Sequence, residues 1–572
     1  MGVYEHVMPL LRLSSPIFLT QIFQQLMGVV TMIYVGRLGK LYMGAASLAQ
    51  MLCNITGFSL GIGMLSAMDT FLSQAFGARK YKLMGLIVQR GVLILTVFSI
   101  PIFFVWRNCT YTFLHDVLGI NDTQSRISES YARHLSVGLW PNLMFEILKR
   151  FLQCQNIIYP IMLSTLIGLV FNILMNYELA VRRGWGVDGC AITVACQGWV
   201  ILAALVATTL LRRRAVLAGR GAAGVVTGSV QYSALGIDSP PCDDAEKSNS
   251  GSSSSSNNNN DSSGSGSTDI EKCACSDASE NDEFLASPSK DSRRQYIAEA
   301  EEPEGPLESD PEDNWPAPSS AAFCDWLPFL RLGVPGALSL FIEWGSFEMA
   351  AGIAGRMSTA ELATHSLYMQ TAGMFYMFPL AIANSVSILL GNYIGRQEYQ
   401  RARELISLGL TADFLIGFIS GSLLLLLRQQ WGLIFSSDAD VDRLVDANMA
   451  AMFLYSIVDA SKCVCLNILR SSGSPMVTVF FNFFACVVVL LPLGYYLGIV
   501  RHYGVFGLWI AMSVAWLLCT AVYLALILRT DWEAQNFVKD SRGSETGDGL
   551  EMKKKEEEEP VAAVGGCDDR AV

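Results

Sequence analysis

Long apolar stretches recur along this chain, each near the roughly 20 residues that a helix needs to cross a bilayer. Six lie in the first 211 residues, at about 14–35, 43–67, 86–106, 131–152, 160–180 and 188–211. Six more follow, at about 327–352, 362–392, 404–427, 445–469, 476–498 and 505–528. Only helices or closed barrels can satisfy their backbone groups inside a membrane. The pattern therefore predicts an all-α, multi-pass membrane protein with twelve transmembrane helices.

The charged residues are concentrated outside these stretches. The formal net charge is -12, yet residues 238–315 alone carry 20 acidic and 5 basic side chains. That segment is rich in Ser, Asn and acidic residues and cannot bury enough apolar surface to fold. The sequence therefore predicts four parts: an N-terminal six-helix lobe (1–211), a disordered cytoplasmic linker (212–322), a C-terminal six-helix lobe (323–530) and a disordered acidic cytoplasmic tail (531–572).

Several classes of function are disfavoured by the same residues. No Walker-type phosphate loop and no motif-placed Ser/His/Asp or Cys/His arrangement is found, so an enzyme is not expected. Outside the acidic segments the chain carries few charges of either sign, which makes nucleic acid a poor partner. Cys273 and Cys275 have no second Cys/His pair at zinc-finger spacing, so no metal site is expected.

Loop charges set the expected topology. Basic residues recur in alternate loops, as in the segments 79–82, 212–214 and 396–403. Because such loops stay in the cytoplasm, both termini are predicted to be cytoplasmic. The membrane itself is expected to be the plasma membrane, the vacuolar membrane or another internal membrane. Two glycosylation sequons, at Asn108 and Asn121, then fall outside.

An internal repeat relates the two lobes. At a lag of about 315–319 residues, Pro16 falls on Pro335 and the ordered series continues to Gly186 on Gly504. The fold is therefore expected to consist of two pseudo-symmetric six-helix bundles. Duplicated halves around a central cavity are typical of secondary transporters.

Acidic residues inside apolar spans are costly and indicate function by default. The predicted spans contain Glu146, Glu343, Glu348, Asp413 and Asp459, and Asp69 lies at the approximate end of the second. No lysine in the spans is an evident permanent partner for the acids of the second half. A carboxyl group shielded from water favours its protonated form, which suits a proton carrier. Asp413 is left out of the site, because Thr411 and Arg403 are within reach of the same helix end.

Glu343 and Asp459 are predicted to work as a pair. Each lies about halfway along its span, near mid-bilayer depth. One alternative stays open: Lys462, three residues beyond Asp459 on the same helix face, neutralises it as a structural ion pair. Glu348 is five residues from Glu343, so both acids point into one cavity only if the helix bends near Gly345.

Aromatic side chains near these acids are candidates for the substrate cavity. Trp344, Tyr376 and Tyr455 are the principal ones, because aromatic faces attract organic cations. The expected partners are a small-molecule substrate, protons and the lipid bilayer, for a protein that is a monomer.

Several segments resemble one family. The segment from Gly63 to Ala78, which includes Asp69 and Gln74, is similar to the second-span signature of eukaryotic multidrug and toxic compound extrusion (MATE) transporters. Similar matches occur at 150–160, around Glu343-Trp344, at 376–379 and at 469–475. The resemblance covers nearly all of 5–211 and 325–530.

The resemblance implies a twelve-helix antiporter that exports organic cations or other xenobiotics or metabolites against protons by alternating access. By this analogy Glu343, Glu348 and Asp459 bind protons and cations, while Asp69 and Gln74 serve packing and gating. Thr31 stands where bacterial and archaeal members often have aspartate, and Gln370 stands where animal members carry an acid, at a position expected to line the cavity.

Two points stay open within this reading. No cofactor is expected, because a proton gradient drives transport, and sodium is the alternative coupling ion. A related flippase of a lipid-linked substrate, or an ion channel, is the alternative function.

Overall fold

The computed structural model describes residues 2–222, 319–435, 439–473, 475–532 and 535. Within these ranges the chain is helical and has no strand. The first half forms six long helices: α1 (Gly2–Leu38), α2 (Leu41–Gly77), α3 (Tyr81–Asn108), α4 (Asp122–Cys154), α5 (Tyr159–Arg182) and α6 (Gly186–Ala222). The second half forms six more: α7 (Leu327–Ala354), α8 (Thr359–Gly395), α9 (Tyr399–Leu426), α10 (Ala439–Ser471), α11 (Met476–Val500) and α12 (Gly504–Arg529). The prediction of two sets of six helices is confirmed.

Ten of these helices are long and apolar enough to cross a membrane by length and composition. The other two, α4 and α7, occupy the predicted fourth and seventh spans. Both carry charged side chains along their length, among them Glu146 and Arg150 in α4 and Glu343 in α7. These charges lower the hydropathy of the two helices, and they form the ion pairs described below.

The segments between and after the halves lie mostly outside the described residues, and with them most of the predicted disorder of 212–322 and 531–572. Where these segments are described, α6 continues past residue 211 to Ala222. Its extension contains mainly Arg and Ala, which are good helix formers. A short turn of 3-10 helix, Ser320–Phe323, precedes α7.

The internal repeat is visible in the backbone. Residues with left-handed φ values recur in the two halves at nearly constant spacing, as the pairs Arg79 and Gln397, Asn156 and Gly473, and Gly186 and Gly504. Such φ values are rare except at glycine. Their ordered recurrence shows that equivalent loops turn in the same way, so the two halves share one local design.

Each half contributes the start of its first helix to the core of the other half. Leu10 and Leu13 of α1 pack in a buried cluster made mainly of second-half residues. Phe329 and Leu332 of α7 occupy the equivalent places in the cluster of the first half. This exchange connects the two bundles at the end of the molecule where α1 and α7 begin, which we call the basic face because the loops 78–80 and 396–398 also lie there.

Large apolar side chains cover much of the outer surface. Examples are Phe104, Leu174 and Ile419, with exposed fractions of 56%, 62% and 62%. Exposed apolar surface on this scale is unusual for a protein surrounded by water. It fits a surface that contacts lipid.

Candidate functional site

The centre of the second half contains a buried ion pair. Lys462 Nζ of α10 lies 2.7 Å from Glu343 Oε1 of α7, and the two side chains are 3% and 11% exposed. The expectation that the acids of this half lack a lysine partner is therefore wrong for Glu343. The geometry also answers the alternative left open by the sequence, because Lys462 forms its ion pair with Glu343 rather than with Asp459.

Neutral polar groups hold Glu343 in place. Asn482 Nδ2 of α11 donates to Glu343 Oε2 at 3.3 Å and to Ser339 Oγ at 2.8 Å. The Asn482 amide oxygen accepts from the hydroxyl of Tyr523 on α12 at 3.2 Å. A buried ion pair offsets its desolvation only when such hydrogen bonds satisfy the remaining atoms. Glu343 is therefore a fixed group at the meeting point of four helices.

Asp459 is joined to this pair through an indole ring. Lys462 Nζ lies 4.0 Å from the centroid of the Trp516 ring, within the range of a cation–π contact. Trp516 Nε1 donates to Asp459 Oδ1 at 3.0 Å. We call Glu343, Lys462 and Asp459 the ion cluster. With all three groups ionised, the cluster has one more negative than positive charge. The unpaired negative charge is that of Asp459, because Lys462 forms its ion pair with Glu343.

Asp459 faces a small, partly open cleft between α8, α9 and α10. Its walls are formed by Ala372, Phe375, Tyr376, Pro379, Gly417, Ser420, Tyr455, Ser456, Asp459 and Ala460. Aromatic faces beside a partly exposed carboxyl group form the environment that binds organic cations. Tyr376, Tyr455 and Asp459, all predicted from the sequence, are thus brought together at one cleft.

The other predicted residues of the second half lie elsewhere. Glu348 and Gln370 are on exposed faces of α7 and α8, and Trp344 is partly exposed on α7. None of the three is among the residues that line the cleft. Glu343 lies behind the cleft and is connected to it through Lys462 and Trp516.

In the first half the acids are paired with arginine and lysine. Asp69 Oδ1 of α2 lies 2.8 Å from Arg150 Nε of α4, and the same guanidinium lies 2.7 Å from Glu146 Oε2. Lys149 forms a further ion pair with Glu146. These contacts fasten α2 to α4 and leave the acids committed to structural partners.

Thr31 belongs to a neutral network. Its hydroxyl accepts hydrogen bonds from Asn172 Nδ2 at 3.1 Å and Asn176 Nδ2 at 3.3 Å, and all three side chains are buried. Asn172 also donates to Gln197. None of these side chains carries a charge.

The two halves meet closely at the basic face. A Cβ on Gly395 would overlap the backbone oxygen of Gln74, and one on Gly391 would overlap the side chain of Ser73. Gln74 Nε2 donates across the boundary to the oxygen of Ser471 at 3.4 Å. We call these contacts of α2 with α8 and α10 the basic-face seal. It places Gln74 of the predicted signature at the boundary between the halves.

Sequence reasoning missed several residues that complete the site. Asn482, Trp516 and Tyr523 lie on α11 and α12, where only their polar atoms within apolar spans could have indicated a role. Lys462 was a visible signal, since a lysine in a span needs a partner, but its partner depends on how α7 crosses α10. Among the described residues, no group of three or more His, Cys, Asp or Glu side chains could hold a metal ion.

Comparison with protein families gives one match over both halves. The model of the MatE family matches residues 16–178 and 335–496. These two segments cover equivalent parts of the repeat, so the match follows the same internal duplication.

Comparison with individual proteins agrees. The chain is 27% identical to multidrug and toxin extrusion protein 1 of Xenopus tropicalis over 99% of this chain and 81% of that protein. It is 25% identical to protein DETOXIFICATION 16 of Arabidopsis thaliana over 93% of this chain and 90% of that protein. The crystal structure of the eukaryotic MATE transporter AtDTX14 is similar in fold, with a TM-score of 0.72 and 19% identity, covering 95% of this chain and 99% of that one.

Proposed function

Because this chain belongs to the MatE family, we propose that it is a secondary transporter that extrudes organic cations and other foreign compounds in exchange for protons. The names of its relatives, which include multidrug and toxin extrusion proteins, support the substrate class. The observation that carries the proposal is the ion cluster beside the aromatic cleft, because it offers one carboxylate to a cation while fixing the other.

The charges of the cluster explain why a proton and a cation compete. Glu343 and Lys462 neutralise one another at 2.7 Å, which leaves the charge of Asp459 facing the cleft. One proton on Asp459, or one monovalent organic cation beside it, makes the cluster neutral. Two positive charges together would repel one another in a site of low dielectric. Binding of either therefore favours release of the other.

Glu343 acts in this scheme as a positioning residue. It holds Lys462 over the Trp516 ring and so keeps the ammonium from forming its ion pair with Asp459. The neutral first-half network around Thr31 supports placing the coupling in the second half alone.

Alternating access follows from the boundary between the halves. Hydrogen bonds join the halves at the basic face, including Thr70 Oγ1 to the Arg470 oxygen at 2.6 Å and Asn392 Nδ2 to the Cys154 oxygen at 3.4 Å. We assign the basic face to the cytoplasm, on the positive charge of its loops. The structure then corresponds to a state closed toward the cytoplasm, and the opposite state requires the seal to open.

The test is uptake of tetraethylammonium into liposomes that contain the purified protein. An imposed pH gradient should drive saturable accumulation that a protonophore abolishes, while a sodium gradient alone should not. Accumulation driven by sodium but not by protons would show that sodium, and not the proton, is the coupling ion. Flux without saturation would indicate a channel, and pH-independent movement of a lipid-linked oligosaccharide would indicate a flippase.

A further inference from the structure

A second acid lies in the core of the second half and takes no part in the scheme above. Asp413 of α9 has an exposed fraction of 0%, and neither of its carboxyl oxygens has a hydrogen-bond partner among the described residues. Neither of the partners expected from the sequence forms a hydrogen bond with it. Thr411 donates to the Ser407 oxygen at 2.8 Å, and Arg403 is exposed at the surface.

Two glycines of α9 allow the neighbouring helices to pack closely around this carboxyl group. Gly409 and Gly417 lie one turn before and one turn after Asp413, on the same face of α9. A Cβ on Gly409 would lie 2.7 Å from Val386 Cγ2 of α8. One on Gly417 would lie 2.7 Å from the Ser456 oxygen of α10. The carboxyl group therefore lies between the two close contacts that α9 makes with α8 and α10.

A carboxylate without water or hydrogen-bond donors is far less favourable than the neutral acid. Few titratable groups lie near enough to change this. On α10 these are the thiols of Cys463 and Cys465, on which a charge at Asp413 would act. On α8 the neighbour is Val386, and the ion pair of His6 of α1 with Glu404 is nine residues away along α9. No cation among these groups neutralises the carboxylate, so burial favours the protonated acid in this state.

The sealed acid lies next to the cleft. Gly417 and Ser420, one and two turns beyond Asp413, form part of the cleft wall. A charge on Asp413 would interact with the thiol of Cys463. This thiol donates a hydrogen bond to the Tyr376 hydroxyl at 3.4 Å. Tyr376 in turn lines the cleft together with Asp459. A substrate that fills the cleft would contact α9 where the contact at Gly417 closes off the acid.

We propose that Asp413 is a second proton-binding carboxyl group of the transport cycle, closed off in this state and opened when α9 moves away from α10. The O–H bond of the acid then breaks, its electron pair stays on the carboxylate, and the proton passes to water. This inference rests on the proposed antiport. It adds one proton to the one exchanged at Asp459, so each cycle with a monovalent cation moves a net charge.

The consequence is that transport responds to the membrane potential. An exchange that moves net charge is driven by voltage as well as by the pH gradient, whereas an exchange of one proton for one monovalent cation is not. In liposomes, two protons leave for each cation that enters, so net positive charge moves outward. An inside-positive potassium diffusion potential set with valinomycin should therefore increase pH-driven tetraethylammonium accumulation by the wild type, and an inside-negative one should decrease it. The accompanying proton flux, read with an enclosed pH dye, gives the number of protons per cation.

Asp413→Asn and Asp413→Leu are the test variants, since both lack the proton and the apolar leucine introduces no unsatisfied donors. Each should keep pH-driven uptake, lose its response to voltage and exchange one proton fewer per cation. Asp440→Asn, at the exposed start of α10, is the matched control and should behave as wild type. Unchanged voltage dependence and proton number in the Asp413 variants would overturn the proposal.

An infrared difference spectrum separates this inference from the antiport itself. Adding tetraethylammonium to the wild type should reduce a band of protonated carboxyl groups that is missing in the Asp413 variants. A band that persists on binding would mean that Asp413 is a permanently neutral acid, which contradicts the proposal even if pH-driven transport is found. Absence of pH-driven uptake by the wild type would instead contradict the proposed function.

Discussion

At the scale of single residues, the direction of one lysine determines the chemistry of the site. Lys462 could have paired with Asp459 on its own helix, and the acid facing the cleft would then have been neutralised. Instead it forms an ion pair with Glu343 and lies over the Trp516 ring. In the proposed scheme, this leaves Asp459 as the group that binds either a proton or a cation.

The first prediction concerns Glu343→Gln. Without the Glu343 charge, Lys462 becomes available to neutralise Asp459, so pH-driven transport should fall at least about tenfold, which corresponds to about 1.4 kcal/mol. Adding Lys462→Met should restore part of the activity, because the charge of Asp459 is freed again. Uptake rates in liposomes measure this. Wild-type rates in Glu343→Gln would contradict the role given to Glu343.

A double-mutant cycle extends this prediction. Asp459→Asn alone should remove most pH-driven transport, because it deletes the group that exchanges the proton. It should add little damage on top of Glu343→Gln, because both act on one cluster. Independent and additive losses would show that the two acids occupy separate sites.

The residue scale also shows the limit of sequence reasoning. Glu343, Asp459, Tyr376 and Tyr455 could be selected because acids and aromatics stand out in apolar spans. The pairing of Lys462 with Glu343 could not be predicted, since it depends on which face of α10 meets α7. The burial of Asp413 could not be predicted either, because it results from contacts made by Gly409 and Gly417 with two other helices.

At the scale of elements, glycines set how closely the helices of the two halves approach. In the basic-face seal, Gly395 of α8 lies against the backbone of α2, which cannot move aside as a side chain would. The positions of the long helices were predictable from apolar length and the repeat. The contacts between α2 and α8 were not, because a glycine in a span looks the same whether it faces lipid or a neighbouring helix.

The second prediction uses these glycines. Gly395→Ala should hold α2 and α8 apart at a cost of about 1–3 kcal/mol in the closed state. Transport should fall, while binding of tetraethylammonium in detergent persists. Gly352→Ala is the matched control, because its Cβ would meet no atom within 4 Å. Equal transport by the two variants would show that this seal is not needed for the cycle.

At the scale of the whole molecule, duplication explains most of the architecture. Equivalent loops turn through left-handed residues at matching positions, and each half packs the start of its first helix in the core of the other. The two halves nevertheless differ in charge. The first half pairs its acids with arginine and lysine, while the second keeps one acid at a cleft. We therefore expect proton coupling in the second half, while the first half has a structural role.

The third prediction concerns the segment between the halves. Residues 238–315 are acidic, rich in Ser and Asn, and poor in apolar side chains, a composition suited to tethering. Deleting them should leave the transport rate within about twofold of wild type, since the linker carries no group of the proposed site. Uptake is compared at equal amounts of inserted protein, and a marked loss would show that the segment contributes to the cycle.

Proton release on cation binding tests the central claim most directly. Purified protein in weakly buffered detergent should release protons when tetraethylammonium is added, and its affinity for the cation should fall as the pH is lowered. Asp459→Asn should weaken binding and reduce the number of protons released per cation, while Asp440→Asn should change neither. Cation binding without proton release by the wild type, or undiminished release by Asp459→Asn, would contradict the exchange of a proton for a cation at Asp459.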